Sequence, residues 1–406
     1  MRILFLSRWY PYPTDNGSKI RIANLLRELC GQHQVTLVSF FSPEKGETVS
    51  KFPGPSPDEV YVYPYREFEP HSLRALLGLF GRRPRYIADT YCRELATLIR
   101  MTVRKNRPDL VIASQLLMAS YYPCFRGIPA IFEEAELGMY LPDRSKASSM
   151  WKQKRKKLTW LKLQRFVAHV LKHFEACTVV SEEERRLLVS AVPAFRSVYV
   201  VPNSIDTEQC RRVTSKIADS LIFAGSLRYA PNHEAMAWFL REIYPVVKVE
   251  VPKVQLKITG DVASRPKLGD PSIVLTGRIP DVHSAVAAAA VSVVPLRSGG
   301  GTRLKILESF AIGTPVVATT KAVEGLRVRD GEHLIIADTE RQFAQAVIHL
   351  LKNPESGRKL AENAFRLVRA QYDSRIVVPR FMELVDQTIA CRRERSSIRF
   401  TAEKPA

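Results

Sequence analysis

Short runs of aliphatic and β-branched residues alternate with amphipathic segments along this chain, and the alternation is made twice. RILFLS (2–7), VTLVSF (35–40), EVYVYP (59–64), LVIAS (110–114), AIFEE (130–134), CTVVS (177–181) and VYVVP (198–202) read as a first set of strands. Between two of them, SKIRIANLLRELC places Ile20, Ile22, Leu25, Leu26 and Leu29 at helical spacing. Buried strands joined by helix-length connections specify a parallel sheet with helices on its faces. The rhythm restarts with SLIFAG, VQLKITG, IVLTG, VSVVPL, TPVVATT and HLIIA. The stretch Asn203 to Asp219 between the sets is polar and without period.

A chain of 406 residues exceeds one ordinary core and suits two. The expected fold is α/β, with two Rossmann-like, doubly wound domains facing across a cleft and ligands at the carboxyl ends of the strands. We assign residues 1–204 to the first domain, with a basic helix near 146–172, and 205–218 to a linker. Residues 219–372 form the second domain, 373–390 a helix that can cross back to the first, and 391–406 a mobile basic tail.

Lys and Arg exceed Asp and Glu by 61 to 41, a net charge of +20. Such an excess selects anionic partners: phosphorylated ligands, an anionic membrane surface or nucleic acid. It is dense from Arg66 to Arg107 and densest from Lys146 to Arg165. Zinc-finger spacing, an RNP-like aromatic strand, GxGxxG and the P-loop pattern are all missing, which argues against a nucleic-acid role. Cys30, Cys92, Cys124, Cys177, Cys210 and Cys391 have no zinc or redox spacing and fit a reduced compartment. The opening MRILFLSRWYPYP is too short a run for a signal peptide, and no stretch reaches membrane-spanning length. The expected location is cytoplasmic, with peripheral attachment to the inner face of the membrane through the basic segment, whose Trp151, Trp160 and Leu161 alternate with lysines. The same segment also reads as a core-packed helix with a solvated basic face.

Chemistry concentrates in SGGGTRLKILES (298–309). A strand ends at VSVVPL, glycines permit close backbone approach, and a helix begins. A helix start offers unpaired N–H groups and a positive dipole end. Arg303 and Lys305 add full charges there, a combination that suits a diphosphate; the alternative is a tight turn with solvated cations. Glu308 lies one and a half turns on, while Ile306, Leu307, Phe310 and Ala311 form a buried face.

PLRSGGGTRLKILESFAIGTPVVATTKAVEGL with DGEHLIIAD resembles the donor-binding core of GT-B glycosyltransferases of family 4, the group 1 type. The likeness extends to the opening 40 residues, VVSEEE, VVPNSID and FAGSLRYAPNHEAMAWF. It implies a retaining transfer from a nucleotide sugar, held mainly by the second domain, to a glycan or lipid-linked acceptor on the first, in surface polysaccharide or glycolipid assembly. It implies no cofactor beyond the donor as co-substrate, and no metal; the missing DxD triplet agrees. Arg303 and Lys305 would then stabilise the leaving diphosphate. Glu308 matches the second glutamate of the E-x7-E pattern, which contacts the ribose, but Gly300 stands where the first belongs.

By the same resemblance Gly17, Gly300, Gly301, Thr302, Gly260 and Asp261 border the donor, and Arg278 and Ile279 face the base. Ser226 replaces a phosphate-binding arginine that Arg228 can substitute. On the acceptor side, Gln115 takes a histidine's place, and Glu133 and Glu134 can orient the acceptor or simply start a helix. The departures keep open a non-catalytic GT-B partner protein and a sugar-nucleotide epimerase.

Overall fold

A computed structural model of the chain describes residues 1–14, 16–42, 49–138, 150–210, 216–261, 270–300 and 304–402, without the side chains of 150–153, 155, 156 and 391–402. The chain forms two compact units, Met1–Pro202 with Val378–Ala406, and Asn203–Val377.

In the first unit, β1 (Arg2–Ser7), β2 (Gln34–Phe41), β3 (Glu59–Pro64), β4 (Leu110–Ser114), β5 (Ala130–Glu133), β6 (Ala176–Val179) and β7 (Val198–Val200) form one sheet. Its order is β3-β2-β1-β4-β5-β6-β7, with every pairing parallel. Arg2 opposes Gln34 on one side of β1, and Ile3 opposes Leu110 on the other. β4 is buried at every residue, which is why LVIAS is a continuous apolar run rather than an alternating one. The order reverses between β1 and β4, opening a crevice at their carboxyl ends.

The second unit repeats the plan. β8 (Ile217–Ala224), β9 (Gln255–Thr259), β10 (Ile273–Gly277), β11 (Ala289–Val294), β12 (Val316–Ala318) and β13 (Ile335–Ile336) are ordered β10-β9-β8-β11-β12-β13, again all parallel. The switch falls between β8 and β11. Phe223, Phe239, Tyr244 and Phe343 fill the core on one face of this sheet.

Ile205, Thr207 and Glu208, at the start of the expected 205–218 linker, pair with residues 372–375. The Ile205 amide donates to the Tyr372 carbonyl and the Ser374 amide to the Ile205 carbonyl, each at 2.9 Å. Buried Asp373 accepts from Thr207 and from Arg375, which also pairs with Glu208. β8 begins at Ile217, inside the range assigned to the linker. The expected stop at residue 390 is also displaced: the last helix runs Ser374–Ala402. Cys391 to Ala402 holds neither proline nor glycine, so nothing in it ends a helix. Residues 403–406 of the expected mobile tail lie outside the description.

Candidate functional site

At the carboxyl ends of β8 and β9, two glycine turns meet. Gly260 has φ of 115°, and a Cβ placed on it would sit 2.6 Å from the Gly225 carbonyl carbon. Only glycine lets the two turns touch. The contact is stitched by the Leu227 amide and Ser226 hydroxyl, which donate to the Asp261 carbonyl at 2.8 and 3.1 Å. Arg228 pairs with the Asp261 carboxylate at 2.8 Å, and Arg278 approaches it at 4.0 Å. Both arginines are largely exposed, so these pairs contribute about 0–1 kcal/mol each. Ile279 follows Arg278, half-buried, in the loop after β10.

Lys305, on the Leu304–Ile312 helix that follows β11, reaches into this junction. Its Nζ donates to Asn232 Oδ1 at 3.1 Å and stands 4.4 Å from the centre of the Phe223 ring. Asn232 is buried, and its Nδ2 donates to the Ser226 carbonyl at 2.8 Å. A Cβ on Gly225 would lie 2.6 Å from Lys305 Nζ, so the ammonium rests directly against the glycine turn. The helix is anchored by Ile306, Leu307, Phe310 and Ala311, each at 0% exposure. One turn beyond Lys305, Glu308 Oε1 is 3.8 Å from His283 Nε2. The nearby Glu308 carboxylate draws the His283 imidazole above its ordinary range, against the opposing effect of burial. Gly300 closes the described part of the loop, after Gly299 at φ of 96°. Gly301, Thr302 and Arg303 lie outside the described residues.

The crevice of the first sheet carries a second polar cluster. Gly17 opens the Gly17–Gln32 helix behind the N-cap Asn16, whose side chain accepts from the Lys19 amide at 3.0 Å. Gln115, directly after β4, and Glu134, directly after β5, both have left-handed backbone, with φ of 68° and 57°. Such positions cost roughly 1–3 kcal/mol each and persist where the surroundings impose them. Here Gln115 Nε2 donates to Glu134 Oε2 at 3.0 Å and to Ser18 Oγ at 3.2 Å, while its buried Oε1 has no hydrogen-bond partner among the described residues. Burial, with Glu133 next in effect, pushes the Glu134 carboxyl well above the usual carboxylate range.

Glu133 plays a different part from the one expected on the acceptor side. It is fully buried, and it accepts from Arg21 Nε at 2.6 Å and from Ser114 Oγ at 2.7 Å. Arg21 in turn donates to the Val201 and Pro202 carbonyls at 2.9 and 3.1 Å. The pair ties the first helix to β5 and to the end of the sheet. No helix starts at these acids: residues 134–137 have no regular structure.

Two doubly wound parallel sheets in one chain define the class, a GT-B fold. A model of glycosyltransferase family 4 matches residues 15–209, and one of glycosyl transferases group 1 matches residues 218–353. The chain belongs to glycosyltransferase family 4, group 1. It is 27% identical over 169 residues to an uncharacterized 44.6 kDa protein in the cps region of Klebsiella pneumoniae, a match spanning 39% of this chain and 44% of that protein. Among solved structures it resembles sucrose-phosphate synthase (tll1590) from Thermosynechococcus elongatus, at 16% identity and a TM-score of 0.69 over 96% of this chain and 100% of that one. It also resembles Anabaena Alr3699/HepE in complex with UDP-glucose, at 13% identity and a TM-score of 0.64 over 95% and 100%.

Lys305, Gly260, Asp261, Arg228 and Arg278 thus gather at one junction of the second unit, with Glu308 a turn away. Gly17, Gln115 and Glu134 gather in the first. Sequence reading missed Asn232 and His283. Asn232 is one polar residue near the start of an ordinary helix, and His283 follows the N-cap Asp281 of a short one. No local spacing marks either.

Proposed function

We propose that the protein is a retaining, metal-independent hexosyltransferase. It moves a sugar from a nucleotide-sugar donor to a glycan or lipid-linked acceptor in surface polysaccharide or glycolipid biosynthesis. The observation that carries this reading is Lys305, fixed by Asn232 against the Gly225–Gly260 junction at the switch point of the second sheet. A leaving diphosphate needs cationic neutralisation and close backbone approach, and this junction supplies both. Arg303, with the glycine loop of Gly300, Gly301 and Thr302, completes the diphosphate site. Glu308 accepts from the ribose hydroxyls, releasing His283. Asp261, Arg228, Arg278 and Ile279 border the nucleotide.

On the acceptor side, the Gln115 and Glu134 cluster behind Gly17 takes the attacking hydroxyl. Glu133 acts by holding Arg21 and Ser114. The leaving phosphate accepts the proton of the attacking hydroxyl, so no protein nucleophile is assigned. The cps-region relative supports the polysaccharide setting, and the UDP-glucose of the Anabaena structure makes uridine nucleotides the first donors to try. We propose action at the cytoplasmic face of a membrane. Among the described residues no helix is long and apolar enough to cross one.

A thermal-shift screen of UDP-, GDP- and other sugar nucleotides tests donor binding, because a ligand of the folded state raises its stability. Mass-spectrometric assay of hydrolysis and transfer then tests turnover. Stabilisation by no nucleotide sugar, with Lys305→Ala indistinguishable from the parent, overturns the reading. Gly300 and Ser226 favour a second reading, a nucleotide-binding partner protein, which predicts stabilisation with no turnover on any acceptor.

A further inference from the structure

The segment between β3 and the Arg93–Asn106 helix wears its apolar side outward. In the Leu73–Leu77 helix the buried residue is Ala75, at 0% exposure. Leu73, Leu77 and nearby Phe80 are 77%, 67% and 91% exposed. A helix adapted to water places its leucines the other way. The inversion is not looseness, because the hairpin is braced from within. Buried Asp89 accepts from the Ser72 hydroxyl and, at 2.9 Å, from the Glu69 amide. Arg85 Nε donates to the Ala75 carbonyl at 3.0 Å. Gly78 lies so near the Arg85–Thr90 helix that a Cβ on it would stand 3.0 Å from Ala88 Cβ.

Beside this hairpin is a cavity of about 620 Å³ lined by Arg74, Arg83, Arg93, Tyr91, Ala88 and Glu94. Arg83 lies over the Tyr91 ring at 4.4 Å, and Tyr91 stacks on buried Tyr121 with centroids 4.6 Å apart. Three guanidinium groups face a single carboxylate, so the cavity selects anions, and arginine forks match phosphate oxygens. The basic helix Met150–Leu171 abuts the same hairpin. Lys162 Nζ donates to the Gly78 carbonyl and, at 3.2 Å, to the Leu79 carbonyl. Leu158 and Leu161 on that helix are 69% and 49% exposed, whereas Leu163, Phe166, Val167 and Val170 pack into the core.

We propose that this hairpin is a docking surface for an anionic phospholipid bilayer. Leu73, Leu77 and Phe80 enter the boundary between headgroups and acyl chains, and the cavity of Arg74, Arg83 and Arg93 takes a lipid phosphate. Exposed apolar tips beside a cationic cavity match the layering of a membrane interface, apolar below and anionic above. A soluble acidic protein would satisfy the arginines but leave the leucines without a reason. The inference extends the lipid-linked acceptor reading, and its readout, vesicle binding, is separate from sugar transfer.

The test is co-sedimentation of the full chain with phosphatidylcholine vesicles, with and without phosphatidylglycerol. The parent protein partitions onto the anionic vesicles. The double variant Leu77→Ser, Phe80→Ser partitions about tenfold or more weakly, as expected from losing two buried apolar side chains. Arg74→Gln with Arg83→Gln loses the preference for phosphatidylglycerol. All four side chains are exposed, so circular dichroism and Tm should match the parent's. Absence of parent binding, or equal binding by both variants, overturns the proposal. So does a concentration-dependent dimer that the Leu77→Ser, Phe80→Ser change dissociates while vesicle binding persists, since a second copy then covers the hairpin. Stabilisation by inorganic phosphate without vesicle binding assigns the cavity to a soluble anion and also overturns it.

Discussion

The Nζ of Lys305 is held 3.1 Å from Oδ1 of Asn232, whose own amide nitrogen is held by the Ser226 carbonyl at 2.8 Å. The lysine's aim is therefore set by the turn it faces. The carboxamide uses one end to orient the cation and the other to read the backbone, so moving the turn moves the charge.

Removing that brace should lower donor handling without removing the charge. Asn232→Ala is expected to weaken nucleotide-sugar affinity about tenfold, the scale of one hydrogen bond to an ion. Lys305→Ala should lower turnover by about 10²–10³, as for loss of a transition-state donor. In the double variant the Asn232 effect should vanish, because its part is played through Lys305. Steady-state kinetics on all three proteins reads this.

Gly260→Ala places a methyl group against the Gly225 carbonyl carbon at a φ of 115°. Both faults fall on backbone, which cannot rotate away. The variant should be destabilised by roughly 1–3 kcal/mol and lose donor-dependent stabilisation together. Thermal denaturation with and without nucleotide sugar measures both.

His283 should titrate above its usual value of about 6.5 in the donor-free protein. The charged pair with Glu308 is then complete below that pH and is lost as pH rises through the folded value. Glu308→Gln should bring the His283 titration, followed by NMR, down toward or below the ordinary range. The stability gap between the parent and His283→Ala should appear in acid and close at higher pH.

Glu134 predicts a slope of the same sign for a different reason. Its folded-state affinity for a proton is raised by burial and by Glu133, so the folded protein holds that proton more tightly than the unfolded chain. Stability falls as pH rises from about 4.5 toward the folded value. Glu134→Gln should flatten that fall in a Tm-against-pH series. Each kcal/mol recovered at alkaline pH should appear as a gain of about 2–4 °C.

Much of the fold was written locally. Each of the thirteen strands in the two sheets overlaps a run singled out by its β-branched and aliphatic content, though β8 starts three residues before its run. Lys305 and Glu308 were legible for the same reason: strand, glycine turn and helix are contiguous. Asn232 was not, being 73 residues from the lysine it holds. The Arg66–Arg107 charge density was visible, but the sequence did not say that Arg74, Arg83 and Arg93 line one cavity or that neighbouring leucines point outward. Glu133 and Glu134 are adjacent in sequence, yet one serves an arginine and the other a glutamine, because a left-handed residue follows β5 where a helix start had been one option. Helix ends without proline or glycine are weakly encoded, and the last helix continues past residue 390 to Ala402.

The first unit is assembled from both ends of the chain: Met1–Pro202 is joined by Val378–Ala406, whose Phe381, Leu384 and Val385 are buried. During synthesis the second unit, Asn203–Val377, therefore emerges whole before the first has all its parts. A ribosome stalled between Val377 and Ile389 would release a chain with one finished sheet and one still waiting for its last helix. Chaperone demand and proteolytic vulnerability should then fall on the half that is made first.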